Sequence, residues 1–270
     1  MTRAACRHHA PAFMAEYGHL TRAVPVNVYA VAAMRSMIDY QQFVQTLRSE
    51  VPFIEIHDPA EFGLTNVEGA VLTGERHIIT DLAREEFRRD LKGVIRFGVG
   101  PGDVDDDFDW NVDCTFAANS AAGVDRYEPC LVALLEGDTS RAVTVMDGPF
   151  PSLYPWDETK GLLSLSSAQW TPFGKYQSYA QAKAVLDSIG TAEVDSRAIS
   201  MRDQMAEFYP AVHDFRIAEL RLSIRAMPLS GADSRLVDVQ QDGSTIRVRA
   251  GKIDAIIAAE QEVRRIMNCG

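Results

Sequence analysis

The stretch that decides the fold is residues 129–170, PCLVALLEGDTSRAVTVMDGPFPSLYPWDETKGLLSLSSAQW. It contains four short segments rich in apolar and β-branched residues, and turn signals such as Gly137-Asp138 and Asp147-Gly148 separate them. Short strands at close spacing with turn residues between them are typical of an antiparallel sheet. We therefore predict an antiparallel sheet over this stretch.

The flanking sequence adds helices and further strands. Apolar and β-branched residues predict strands at 24–33, 94–100 and 218–229, and Asp242-Gly243 predicts a hairpin between two alternating segments. Apolar spacing of three and four residues, together with capping residues and Pro or Gly stops, predicts helices. The predicted helices cover 3–20, 39–51, 81–91, a segment after the Ser178/Gln181 capping pair, 195–209, and a last helix from about Lys252. This mixture predicts the α+β class.

Composition excludes several classes of function. The 270 residues are 46% hydrophobic, which is enough for a large core, and the formal net charge is -11. A negative surface repels phosphate backbones, so we expect no nucleic-acid partner. No Lys/Arg cluster and no run of about 18 apolar residues is present, so we expect no membrane association.

The four cysteines predict a reduced protein without a metal site. Cys6, Cys114, Cys130 and Cys269 form no C-x-x-C pair and have no metal-ligand spacing. The N-terminal residues also lack the apolar run of a signal peptide. We therefore expect a cytoplasmic location.

Four segments, taken in order, resemble the class of FAD-dependent oxidoreductases that includes glycine oxidase and D-amino-acid oxidase. They are residues 75–92, 110–123, 147–173 and 221–252, and each is weak alone. The resemblance covers most of the chain from about residue 24. It implies an oxidoreductase in which FAD accepts hydride from the carbon next to an amine or hydroxyl, and the protein supplies orientation and electrostatics.

The resemblance assigns cofactor-binding residues at two places. In that class a strand runs beside the flavin, and here Cys114 and Thr115 stand at its end, with Phe116 where Gly is commoner. For Cys114 the sequence favours the alternative of a buried small thiol without a role at the flavin. Gly251 and Lys252 open the last helix, whose N-terminus usually faces the flavin. A glycine there allows close backbone approach, although a plain helix start explains it equally well.

The resemblance also assigns substrate-binding residues. Arg225 precedes Pro228 and Asp233 in the order typical of the class, and a guanidinium fork suits a substrate carboxylate or phosphate. The alternative is an ion pair with an acid such as Asp233. Aromatic side chains of Tyr154, Trp156 and Tyr176 are predicted to line the pocket, the alternative being ordinary sheet packing. The substrate is therefore expected to be small and acidic.

One motif of the class is missing. Its members begin with a strand, G-x-G-x-x-G and a helix, which hold the FAD pyrophosphate on backbone N–H groups. Here Gly98, Gly100 and Gly102 are followed by the acidic residues 103–109 instead of a helix. The chain thus resembles a truncated member, lacking about 100–150 residues, roughly one domain. A gene start placed too late, a split from a partner chain and loss of FAD binding remain open.

The predicted organisation has two parts. Residues 1–23, 75–125 and 225–270 form a partial FAD-binding domain, an α/β remnant, and residues 24–74 and 126–224 form a substrate-binding domain with an antiparallel sheet.

Two further functions stay open beside the enzyme. A non-catalytic or split subunit would need a partner that supplies the missing βαβ unit. A small-molecule binding protein without redox chemistry would use the same scaffold. His77 could act as a base, but the sequence favours a surface strand residue there.

Overall fold

A computed structural model describes residues 2–49, 51–100, 103, 108–115, 118, 124–228, 237–249 and 253–269. Within these ranges the chain forms six α-helices and thirteen β-strands. The helices are α1 (Thr2–Tyr17), α2 (Tyr40–Arg48), α3 (Thr80–Asp90), α4 (Tyr179–Ser188), α5 (Thr191–Ala206) and α6 (Ile256–Cys269). The strands are β1 (Thr21–Ala23), β2 (Val26–Ala32), β3 (Phe53–Ile56), β4 (Val67–Thr73), β5 (Arg76–Ile78), β6 (Asn111–Asp113), β7 (Val124–Glu136), β8 (Arg141–Met146), β9 (Pro151–Asp157), β10 (Leu162–Ser167), β11 (Arg216–Pro228), β12 (Asp238–Asp242) and β13 (Thr245–Arg249).

An eight-stranded sheet is the centre of the fold. Its strand order is β11-β7-β10-β9-β8-β2-β4-β3. Neighbouring strands are antiparallel except for β2 and β8, which run parallel. The sequence prediction over 129–170 is therefore confirmed, since β7 to β10 are antiparallel neighbours.

One face of this sheet is covered by α5. Residues 162–167, LLSLSS, alternate, so that Leu163 and Leu165 point to this face and are fully buried. They pack in one cluster with Val143 and Leu153 of the sheet and with Met201 of α5. Burial of this apolar face supplies most of the driving force for folding.

The opposite face is covered in part by two other elements. Phe43 and Leu47 of α2 pack on Val31 and Val71 at the β2–β4 end. The antiparallel ribbon of β1 and β5 lies near β9, where His77 reaches Glu158. The middle of this face carries polar side chains, which are described below.

A separate three-stranded sheet has the order β12-β13-β6. The hairpin predicted at Asp242-Gly243 is confirmed, with Gly243 at a φ of 59°. Strands β13 and β6 are parallel, with Thr245 opposite Asn111 and Arg247 opposite Asp113. In the part of the chain that the structure describes, β6 pairs with no second strand.

Most predicted elements are confirmed, and two are wrong. Residues 94–100 do not form a strand: within the described residues no strand pairs with this apolar run, and Val94 and Phe97 are 75% exposed. Helix α5 begins at Thr191, not near residue 195, because Gly190 is its N-terminal cap. The described helices include none that is long and apolar enough to cross a membrane.

Leu163→Ala tests how much the buried face contributes to the free energy of unfolding. Leu163 is completely buried, so the substitution should lower the free energy of unfolding by about 2–5 kcal/mol through lost transfer energy and a residual cavity. Urea unfolding followed by circular dichroism measures this change. The control is Leu222→Ala on β11, where the side chain is 39% exposed and the loss should be about 1 kcal/mol or less. Equal losses would contradict the assignment of the core to the α5 face.

Candidate functional site

A row of small hydroxyl side chains crosses the face of the large sheet opposite α5. Thr144 is in register with Tyr29 on one side and Ser152 on the other, and Ser152 is in register with Ser166. The Thr144 and Ser152 hydroxyls are hydrogen-bonded at 2.8 Å. These side chains are half-buried, so this face, the hydroxyl face below, offers donors and acceptors that are partly shielded from solvent.

Aromatic side chains border the hydroxyl face along β9. Tyr154 is in register with Ser164, and Trp156 lies two residues further on the same face of the strand. The guanidinium of Arg221 lies 5.0 Å from the centre of the Trp156 ring, which is a cation–π distance. The structure thus brings together two of the predicted pocket residues and adds an arginine that the sequence did not indicate.

Glu75 is held between two phenols at the edge of this face. The Tyr154 hydroxyl donates to Glu75 Oε2 at 2.9 Å, and the Tyr29 hydroxyl donates to Oε1. Burial raises the pKa of Tyr154, and the negative charge of Glu75 raises it further. Tyr154 therefore stays protonated and acts as a donor.

His77 is buried next to this group, so the prediction of a surface strand residue is wrong. It is only 8% exposed, because β5 folds back onto the sheet. Its Nε2 lies 3.0 Å from Glu158 Oε1, and Arg22 also donates to Glu158. Burial raises the pKa of Glu158, but the hydrogen bonds from Arg22 and His77 outweigh this and lower it.

Arg225 is paired with Glu128 on the neighbouring strand β7. Its Nε lies 3.1 Å from Glu128 Oε2, and Arg126 Nε lies 2.7 Å from Oε1 of the same carboxylate. Glu128 is buried, whereas the Arg225 side chain is 41% exposed. Glu128 thus accepts hydrogen bonds from two guanidinium groups. The ion pair that the sequence allowed with Asp233 falls on a residue outside the described ranges.

Arg225 and the aromatic border of the face are far apart. Tyr154 lies opposite Ser164 of β10, and Ser164 in turn lies opposite Leu134 of β7. Arg225 lies opposite Glu128, at the other end of β7. Six residues of a strand, from 128 to 134, span about 20 Å. A small substrate cannot contact both positions at once.

Tyr176 lies in a third place. Its backbone forms a bridge with Tyr127, and its ring packs with Tyr127 and Ala182 of α4. This cluster belongs to the side of the sheet that packs against helices. The structure does not bring Tyr176 to Tyr154 and Trp156.

Comparisons with known proteins identify the family. The sequence is 31% identical over 270 residues to the FAD-dependent monooxygenase FPY4 of Fusarium mangiferae, covering 95% of this chain and 73% of that protein. This chain belongs to the FAD-dependent oxidoreductases. The family named from the sequence motifs is therefore confirmed, although no family model matches the sequence.

Solved structures show the same fold at low sequence identity. The fold of this FAD-dependent oxidoreductase is similar to iminodiacetate oxidase (IdaA) from Chelativorans sp. BNC1, with a TM-score of 0.59, 9% identity, and coverage of 95% of this chain and 76% of that one. Glycine oxidase from Geobacillus kaustophilus gives a TM-score of 0.56 at 11% identity, covering 95% and 74%. L-proline dehydrogenase from P. horikoshii gives 0.60 at 12%, covering 96% and 76%. The predicted α+β class is confirmed.

Two predicted cofactor-binding segments follow neighbouring parallel strands of this oxidoreductase. Cys114 and Thr115 come directly after β6, and both are exposed. The Thr115 backbone N–H and hydroxyl both donate to Asp113 Oδ1, at 2.9 and 2.6 Å, which fixes the turn at the strand end. Gly251 and Lys252 follow the parallel strand β13 but lie outside the described residues. In open α/β sheets, ligands bind at the carboxyl ends of the strands.

Sequence reasoning missed Tyr29, Glu75, Thr144, Ser152 and Arg221. The alternation of Leu and Ser in 162–167 was a usable signal, because it shows that the solvent-side face of a central strand carries hydroxyls. Nothing in the sequence indicates that Glu75, 79 residues from Tyr154, lies against it. The described residues include no group of three His, Cys, Asp or Glu side chains placed to hold a metal ion.

Glu128→Gln tests the Arg126–Glu128–Arg225 cluster. Burial raises the pKa of Glu128, but its hydrogen bonds to Arg126 and Arg225 lower it below the ordinary 4.5. A carboxyl whose pKa is lower in the folded state stabilises the fold above its unfolded pKa, and this stabilisation is lost as pH falls through the folded value. The free energy of unfolding, measured by urea titration from pH 7 down to pH 3, should fall less steeply in Glu128→Gln. An identical pH dependence of the free energy of unfolding in the wild type and in Glu128→Gln would show that Glu128 is not stabilised by the two arginines.

Proposed function

We propose that this chain uses FAD to oxidise a small substrate with an amine, amino-acid or hydroxyl group, bound on the hydroxyl face. The observation that carries the proposal is this half-buried polar face, bordered by Tyr154 and Trp156, on the side of the sheet opposite the α5 core. The names of the relatives support the choice of substrates, since iminodiacetate oxidase, glycine oxidase and L-proline dehydrogenase all act on amines or amino acids.

The residues fit the ring end of FAD better than its nucleotide end. Cys114 and Thr115 supply an exposed strand end with a fixed turn, and Gly251 and Lys252 follow the parallel neighbour of that strand. No G-x-G-x-x-G sequence is present to hold the pyrophosphate. When bound, FAD would supply the electron acceptor for substrate oxidation.

The protein side chains would bind and orient the substrate. The hydroxyls of Thr144 and Ser166 would bond its polar atoms, and the rings of Tyr154 and Trp156 would exclude water from one side. Arg225, with Arg126 beside it, would hold an anionic group of a longer substrate or ligand. Tyr176 would not contact this ligand, because it packs with Tyr127 and Ala182 on the other side of the sheet.

A second candidate is a subunit that needs a partner to supply the βαβ unit. The open edge of β6 favours it, since in the described residues this parallel strand pairs on one side only. Large apolar side chains lie exposed in the segment before it and within it, namely Val94, Phe97, Phe108 and Val112. A parallel edge strand of another chain would pair with β6 and cover them.

We further propose that β6, β12 and β13 belong to the cofactor-binding unit, formed by residues 1–23, 75–125 and 225–270. The large sheet would then belong to the substrate-binding unit of residues 24–74 and 126–224. A cytoplasmic location is proposed from the thiol chemistry, since Cys114 and Cys130 are free.

The visible absorption spectrum of the purified chain, before and after FAD is added, tests the proposal. We expect flavin absorption bands that remain with the protein after gel filtration, because the two strand ends hold the ring. Thr115→Pro removes the backbone N–H that fixes the turn after β6 and should release the flavin. The control is Ser140→Pro, which removes a similar N–H bond in the distant turn before β8.

A colourless protein that stays colourless with FAD would overturn the proposal for this chain alone. It would favour the second candidate, in which the flavin binds only with a partner. Equal flavin loss in both proline variants would show that the turn after β6 has no specific role.

Arg225→Ala tests the anion-binding role. The binding of phenylacetate, measured by calorimetry, should weaken by about tenfold or more, since a charge-assisted fork contact is lost. Stability should fall by only about 1–2 kcal/mol, because Arg126 still pairs with Glu128. Arg216→Ala at the far end of β11 is the matched control, with the same change in net charge. Unfolding of Arg225→Ala, or unchanged binding, would show that Arg225 is structural.

A further inference from the structure

Glu75 differs from the other shielded carboxylates near the site. Glu128 is paired with two arginines, and Glu158 is paired with Arg22 and His77. Glu75 lies two residues before His77 and is half-buried, yet in the described part of the chain no Lys, Arg or His lies within ion-pair distance of it. Its partners are neutral phenols.

The two phenols stabilise the charge of Glu75 without cancelling it. Each carboxylate oxygen accepts one hydroxyl, from Tyr29 and from Tyr154, and each keeps a free acceptor position. A hydrogen bond from a neutral donor leaves the net charge at minus one. A shielded charge without a counter-ion is unfavourable, so this position favours a cation supplied by a ligand.

The surroundings also suit an organic cation. The hydroxyls of Tyr29 and Tyr154 contact the carboxylate. Trp156, whose ring already carries the Arg221 guanidinium at 5.0 Å, follows on the same face of β9. The negative face of an aromatic ring attracts ammonium groups. The hydroxyl of Thr144, in register with Tyr29, offers a further acceptor for an N–H group.

We propose that Glu75, clamped by Tyr29 and Tyr154, binds the ammonium group of a cationic amine ligand. Resting on the proposed function, this makes the substrate class an amine recognised by its positive charge, rather than an acid recognised by Arg225. The carboxylate acts in binding, and Tyr29 and Tyr154 are positioning residues that hold its two oxygens in place.

The test uses the whole chain without added flavin and three probes of similar shape. Benzylamine is cationic at neutral pH, benzyl alcohol is neutral and phenylacetate is anionic. Their binding is followed by calorimetry and by intrinsic tyrosine and tryptophan fluorescence at low salt. We expect saturable binding of benzylamine, and weaker binding of benzyl alcohol by about tenfold or more.

Two substitutions localise the site. Glu75→Gln keeps the shape and one acceptor oxygen but removes the charge, so benzylamine binding should weaken by about tenfold, and phenylacetate binding should not weaken. Tyr154→Phe keeps the ring and removes one donor, and should weaken benzylamine binding less. The control is Glu136→Gln at the end of β7, which changes the net charge equally. Thermal unfolding confirms that each variant is folded.

Benzylamine binding that is equal in wild type and Glu75→Gln would overturn the proposal, as would equal weakening by Glu136→Gln. If Glu75→Gln fails to fold, Tyr154→Phe tests the proposal instead. Loss of the Tyr154 hydrogen bond to Glu75 must reduce the preference for benzylamine over benzyl alcohol and phenylacetate. The binding assay contains no flavin, so its result does not depend on FAD binding. Benzylamine binding by a chain that never binds FAD would support this proposal and overturn the proposed function. Flavin binding by a chain that shows no preference for benzylamine would support the proposed function and overturn this proposal.

Discussion

Alternation of leucine and serine in β10, near the centre of the large sheet, is the constraint on which the rest of the structure depends. Leu163 and Leu165 must point to α5 to be buried, and this forces Ser164 and Ser166 to the other face. A shift of one residue in register would expose the leucines and bury the hydroxyls. The packing of the core on one side therefore also determines where a polar binding surface lies on the other.

The hydroxyl face is suited to bind a ligand because other elements cover only its edges and leave its middle accessible. Helix α2 covers the β2–β4 end with Phe43 and Leu47, and the ribbon of β1 and β5 brings Glu75 and His77 over β9. The carboxylates that these contacts shield differ in the charge of their hydrogen-bond partners. Glu158 and Glu128 receive cations from the protein, whereas Glu75 receives only phenols. Electrostatics thus distinguishes structural ion pairs from a position that favours a ligand.

The three-stranded sheet of β12, β13 and β6 brings together segments that are far apart in the sequence. Strands β6 and β13 run in the same direction, and Asp113 lies opposite Arg247 although more than a hundred residues separate the two in sequence. Among the residues that the structure describes, β6 pairs on one side only, so its second edge is open. In the proposed split-subunit arrangement, a strand added at this edge would complete the cofactor-binding unit.

The sequence by itself determined the elements that depend on local patterns: the antiparallel strands of 129–170, the hairpin at Asp242-Gly243, and the family, through motifs kept in order. Only the tertiary structure decided which residues meet. It paired Arg225 with Glu128 about 20 Å along the strand from the Tyr154 position, buried His77, and placed Glu75 between Tyr29 and Tyr154. These contacts arise from strand order and from the return of β5 onto the sheet, and such long-range pairing leaves no periodic signal in a single sequence.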